Sequence, residues 1–225
     1  MEGSGLIHPP LELLFTVDEE TGLTGAMHME AGFITGKTFI NLDSEQEGTI
    51  IVGCAGGKDT SLRLGVSRRP SPVRVEPCRV RVGGLKGGHS GTDIHTGRGN
   101  AIRLLARALQ DLPVQMHLAS ITGGNKHNAI PREAEAVITI AESDHATVRQ
   151  AIERSHALFA RELKGIDEDL RLSVERAETP DSVLAPEDTR RLLHLLTGLP
   201  HGLIDVDMKR GAVIVDLAAE GGGNC

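Results

Sequence analysis

Six segments between residues 73 and 177 alternate in character in the order β-α-β-β-α-β, and few folds accept that order. VRVEPCRVRV (73–82), EAEAVITIA (133–141) and DLRLSVERA (169–177) alternate apolar and polar residues, the period of a strand with one buried face. VQMHLASI (114–121) is a fourth, more apolar strand. Between them NAIRLLARALQDL repeats at helical spacing, with Asn100 as N-cap and Leu104, Leu105, Ala108, Leu109 and Leu112 on one stripe. A second helix starts at Ser143 or Asp144 and runs to about Leu163, with Val148, Ile152, Phe159 and Leu163 on its apolar stripe. This is the ferredoxin-like pattern: a four-stranded antiparallel sheet with two helices on one face. A further helix, PEDTRRLLHLL, and a strand, GAVIVDL, follow, and residues 218–225 carry no expected structure.

Upstream the pattern is different. PLELLFTV (10–17) and KTFINLD (37–43) read as strands, and TGLTGAMHMEAG between them as a short helix. Strand, helix, strand predicts a βαβ unit with two parallel neighbours. The stretch from Gly53 to Pro77, containing GCAGG and SRRPSP, marks a boundary. The expected organisation is a partial α/β domain with a parallel sheet over 1–57, a ferredoxin-like domain over 58–217 and a tail over 218–225.

Composition narrows the function. A formal net charge of −7 gives no basic face for a phosphate backbone, so a nucleic-acid partner is not expected. No apolar run approaches about 18 residues, so no membrane span is expected. The three cysteines, Cys54, Cys78 and Cys225, lie too far apart for a zinc knuckle, and their odd number gives no disulfide framework, which fits a reducing cytoplasm. With 2% aromatic residues and no Trp or Tyr, the core must be built of Leu, Ile, Val and Ala.

Carboxylates supply the first chemical candidates. Glu19 and Glu20 follow the first upstream strand and Asp43 ends the second. Parallel neighbours lie about 4.8 Å apart, so three carboxylates would converge where open parallel sheets bind ligands. Like charges that close must protonate, pair with a base or bind a cation. A free carboxylate beside a metal-bound water also suits metal-assisted hydrolysis. Acids at strand ends more often cap turns and face solvent, and spacing alone favours that role. His89 stands in the loop GGLKGGHSG, whose glycines can expose an imidazole able to donate to an oxyanion; an ordinary loop histidine is the commoner case. Asn128, in NKHNAIPREA, could hydrogen-bond a substrate or close an Asx turn. Neither a phosphate-binding glycine loop nor a Gly-x-Ser-x-Gly elbow is present.

FTVDEETGLTGA, INLDSEQEG, GCAGG, LKGGHSG and NAIPREA, in this order, resemble the motifs of the aminoacyl-histidine dipeptidases, within the wider superfamily of dizinc aminoacylases and carnosinases. The likeness runs from about Pro9 to Gly211. It implies a cytoplasmic metallodipeptidase acting on dipeptides of the Xaa-His type, with two divalent ions, zinc first and manganese or cobalt as alternatives. It implies that Glu19 is the general base and that Glu20 and Asp43 each ligate one metal. His89 would polarise the scissile carbonyl and Asn128 would contact substrate. The βαββαβ segment would be a lid through which the protein forms a homodimer.

The same resemblance exposes departures. The family's His-x-Asp metal motif, bridging aspartate, distant metal histidine and lid arginine have no counterpart in this sequence. That leaves one ligand for each metal, whereas zinc sites use three or four. The expectation is a truncated copy with an incomplete metal site. The alternatives are a non-catalytic, dimerising lid module or a gene remnant.

Overall fold

The computed structural model describes residues 5, 7–19, 22–42, 47–53, 56, 58, 60–207 and 212–217. The chain divides into two compact units, Met1–Ser61 and Leu62–Cys225.

In the first unit the described residues hold one short helix, α1 (Thr24–Met27), where a short helix was expected. Residues 10–17 and 37–42, read as parallel strands, carry no strand. The apolar pattern is present, but the ladder that would use it is not. Two strands gain little from pairing without further strands or a helix to cover their apolar face. Local bonds satisfy part of this backbone instead. The N–H groups of Thr35 and Gly36 donate to the Glu12 carboxylate, the first at 2.8 Å and the second at 3.3 Å, and Gly25 N–H donates to Val17 O at 3.1 Å. Thr35 Oγ1 also donates to Glu12, and these hydrogen bonds, the hydroxyl's first, lower the pKa of that carboxyl.

The second unit contains β1 (Arg68–Pro70), β2 (Val75–Gly83), β3 (Gly88–His89), α2 (Ala101–Gln110), β4 (Met116–Gly123), β5 (Ala129–Ile130), β6 (Ala134–Ala141), α3 (His145–Glu162), β7 (Arg171–Arg176), β8 (Ser182–Leu184), α4 (Pro186–Gly198), β9 (Gly202–Asp207) and β10 (Ala212–Leu217). The main sheet has the order β4-β6-β2-β7, antiparallel throughout. The α/β class and the ferredoxin-like domain expected from the sequence are therefore present, with the four strands and two helices in the expected places. β9 and β10 pair as an antiparallel hairpin.

Alternation decides which face is buried. Cys78, Val80 and Val82 of β2 and Ala136, Ile138 and Ile140 of β6 join Leu104, Leu105, Ala108 and Leu109 of α2 and Val148, Ile152 and Phe159 of α3 in one core. Apart from Phe159 and Cys78 that core is aliphatic, as the composition required. Asn100 caps α2 as expected, its Oδ1 accepting from Arg103 N–H at 3.2 Å. Asp144 precedes α3 without a side-chain cap bond. Arg107 of α2 lies over the Phe159 ring and forms a bidentate pair with Glu162 at 2.7 and 2.8 Å, joining the two helices.

The two edges of the sheet differ. β4 carries a register shift between Leu118 and Ser120, and Arg68 donates to the carbonyl of Ala119 inside that bulge at 2.7 Å. Arg68 belongs to the β1–β8 ribbon, held by its own bonds to Ser182. Beyond β7 no strand is paired among the described residues, and Arg171, Ser173, Glu175 and Arg176 are exposed there.

Candidate functional site

The loop after β2 begins with Gly84 and returns to α2 at Asn100. Its first part forms β3, which pairs with β5 so that Gly88 faces Ile130 and His89 faces Ala129. The ribbon brings two of the expected residues together: Ser90 N–H donates to the backbone carbonyl of Asn128 at 2.9 Å. His89 and the Asn128 side chain are both exposed.

The His89 ring has a defined orientation. Its Nδ1 accepts from the N–H groups of Gly91 at 3.0 Å and Thr92 at 3.2 Å. An imidazole nitrogen that accepts carries no proton, so the neutral ring holds its hydrogen on Nε2. The ring thus offers an N–H donor to whatever approaches. Its backbone N–H is bound to Asp93 Oδ2 at 2.9 Å, and Asp93 Oδ1 pairs with Arg98 at 3.0 Å. Arg98 also donates to Gly87 O at 2.6 Å. Gly88, at φ +134°, is needed here, because a Cβ would run into the Asp93 and Arg98 side chains.

A cleft of about 700 Å³ opens at the base of the ribbon. Its walls include Lys86, Gly88, Arg132, Glu133, Glu135 and Arg171. Arg81 joins them, so four basic side chains meet two acidic ones, a balance that suits an anionic group. Arg132 lies on this wall, whereas His95 sits exposed in the turn Ile94–Thr96.

Glu19 lies in the first unit, exposed, in the turn that leads into α1. Leu23 N–H donates to both Asp18 O at 2.9 Å and Glu19 O at 3.2 Å. Asp18 and Leu23 flank it at φ +57° and +59°, a left-handed backbone that costs a non-glycine residue about 1–2 kcal/mol. Glu20 and Asp43, the two expected metal ligands, lie outside the described residues. Among the described residues no group of three or more His, Cys, Asp or Glu side chains could hold a metal ion. The described part of the chain therefore does not by itself fit a metal centre.

Inspection of the sequence missed Asp93, Arg98 and Asp167. Asp93 and Arg98 lie inside the glycine loop and carried a weak local signal, an acid and a base five residues apart. Asp167 reaches Lys86 and Gly99 across 81 and 68 residues, and no short motif marks it.

The fold and the ribbon define the class. Residues 80–167 match the family model of the peptidase dimerisation domain (M20_dimer). The chain is 35% identical over 215 residues to the cytosol non-specific dipeptidase of Escherichia coli (strain K12), covering 94% of this chain and 44% of the relative. The crystal structure of the aminoacylhistidine dipeptidase from Vibrio alginolyticus superposes with a TM-score of 0.72 at 36% identity, over 88% of this chain and 41% of that one. The resemblance to aminoacyl-histidine dipeptidases read from the motifs is thus borne out along most of the chain. The chain spans less than half the length of either relative. No helix among the described residues is long and apolar enough to cross a membrane.

Proposed function

We propose that this chain is part of a metal-dependent dipeptidase acting in the cytoplasm on dipeptides, including the Xaa-His type. The observation that carries the reading is the His89 ring. Two backbone N–H groups occupy Nδ1 and leave Nε2–H free to donate to a peptide carbonyl. A preorganised donor at a developing oxyanion is worth on the order of 100- to 1,000-fold in rate. Glu19 is the proposed base that takes a proton from the attacking water and returns it to the leaving amine. Asn128, on the neighbouring strand end, is the proposed substrate contact, and the basic cleft beside it suits a dipeptide carboxylate.

Glu20 and Asp43 are the proposed ligands of two divalent ions, zinc first. The ions would lower the pKa of a bound water. The similarity to a cytosol non-specific dipeptidase supports the cytoplasmic reading. We place the partial catalytic domain in residues 1–57, the lid in 58–217 and a tail in 218–225. The separation of the chain into units after Ser61 supports the first of these.

Hydrolysis of an Xaa-His dipeptide by the purified chain, with and without added zinc or manganese, tests the proposal. In any preparation that turns over, activity should depend on the metal and disappear in Glu19→Ala while the fold persists. Turnover unchanged in Glu19→Ala overturns the assignment of the base.

A second reading has its own support. The dimerisation domain is matched over 80–167, so the chain could act as a lid-type module whose main behaviour is homodimerisation. Light scattering at micromolar concentration checks it, and a clean monomer counts against it.

A further inference from the structure

His89 can serve as a donor only if its loop holds still, and the loop's two ends meet at one buried group. Lys86 N–H, at the entry, donates to Asp167 Oδ1 at 2.7 Å; Gly99 N–H, at the exit, donates to Asp167 Oδ2 at 2.7 Å. Asp167 is 2% exposed. We propose that Asp167 is a positioning residue for His89: its carboxylate clasps both ends of the loop 86–99 and so fixes the ring that presents Nε2–H. Its catalytic meaning rests on the reading of His89 given above.

The clasp is anchored on the rigid side. Asp167 follows α3, its own N–H donates to Leu163 O at 3.0 Å, and its carbonyl accepts from Leu170 N–H at 3.3 Å. Val148, Ile152 and Phe159 seat α3 in the core. The exit is packed so tightly that a Cβ on Gly99 would lie 2.8 Å from Leu163 Cδ1 and 3.2 Å from Leu85 Cδ2. From Gly99 the connection to the ring is continuous. Arg98 precedes it and pairs with Asp93, and Asp93 holds the His89 N–H.

Burying a carboxylate is costly unless strong bonds satisfy it. Each oxygen here receives one N–H, from residues at opposite ends of the same loop, and both bonds are short. A role limited to closing a turn would need neither the second oxygen nor the second donor.

The test reads the ring directly, without turnover. Imidazole nitrogen NMR on the full chain should show His89 as the Nε2–H tautomer. Asp167→Asn keeps the shape but sets an amide NH₂ against a backbone N–H. It should convert His89 to a mixture of tautomers and speed exchange at the Gly91 and Thr92 amides on the order of 10-fold or more. His194, bound to Gln110 at the far end of α2, should stay unchanged. Leu192→Ala serves as a control for lost stability alone and should leave the His89 ring as it is. If Asp167→Asn lowers the melting temperature and leaves the ring and both amides unaltered, the proposal is wrong. If Asp167→Asn does not fold, Gly99→Ala carries the test, because it displaces the exit N–H and leaves the carboxylate intact. An altered ring then supports the clasp, and an unaltered one overturns it. Where the wild-type chain hydrolyses dipeptides, Asp167→Asn should lower kcat by up to about 100-fold with KM little changed. A wild-type chain without turnover removes the catalytic meaning of His89 but leaves the ring result, and hence the clasp, standing or falling by itself.

Discussion

The sequence has four phenylalanines, and their fates separate the two units. Phe15, Phe33 and Phe39, in the first unit, are 87%, 69% and 75% exposed; Phe159, in the second, is 1% exposed. Leu42, Ile50 and Val52 in the first unit are as open as its phenylalanines, whereas Leu105, Leu118 and Ile138 in the second are fully buried. Both regions carry apolar segments that read as strands in sequence. What differs is the supply of partners. β2 has β6 on one side and β7 on the other, with α2 over its face, while residues 10–17 pair with no strand among the described residues. Burial is worth about 25 cal/mol per Å2 only when another surface takes the water's place.

Four measurements would break or sharpen that contrast. The largest effect is expected in amide exchange. The amides of β2 and β6 should exchange at least about 1,000-fold more slowly, after correction for sequence, than those of residues 10–17 and 37–42. Equal protection in both regions would abolish the distinction. Next, Phe159→Ala should cost about 3–5 kcal/mol in denaturant unfolding, whereas Phe15→Ala should stay within about 0.5 kcal/mol. A large loss for Phe15→Ala would mean that the first unit buries this ring in solution. Third, Asn100→Ala should cost about 1 kcal/mol through the lost cap of α2, measured in the same way.

The smallest effect is a dependence on pH within the second unit. Burial first, then the nearby Arg69 charge, lowers the pKa of His117, whose Nδ1 is buried without a hydrogen-bond partner. Burial first, then Arg103, does the same for His201. A depressed histidine binds its proton more readily in the unfolded chain. It therefore contributes stability above the unfolded value of about 6.5, and that stability is lost as pH falls toward the folded value. Melting temperature should drop between pH 7.5 and 5.5, and His117→Asn should reduce that slope. A slope that His117→Asn leaves untouched would assign the effect to other groups.

The second unit was legible because its signals are local. Alternation in VRVEPCRVRV and EAEAVITIA and the Asn100 cap each depend on neighbours within a few residues, and each sits where the pattern put it. The short ribbons were not legible. β3 and β5 are two residues long, and β1 pairs with β8 across more than 100 positions, too little sequence in either case to carry a period. The parallel strands of the first unit failed for the opposite reason: their pattern was clear, but a strand is a property of a pair. At the candidate site the glycines of LKGGHSG marked the loop and His89 within it. The residues that hold the loop act largely through bonds to backbone N–H groups, Asp93 to one and Asp167 to two, and such bonds leave no compositional trace.

The guarded edge of the main sheet also bears on how such sheets can grow. Arg68 occupies the Ala119 carbonyl in the β4 bulge, where an incoming strand would need that acceptor. At the far side no strand other than β2 pairs with β7 among the described residues. If that edge is open in solution, strand addition would run in one direction only. Two sheets joined through β7 would leave guarded edges at both outer ends, so the process stops at a pair. A sheet open on both sides would instead propagate into a fibre.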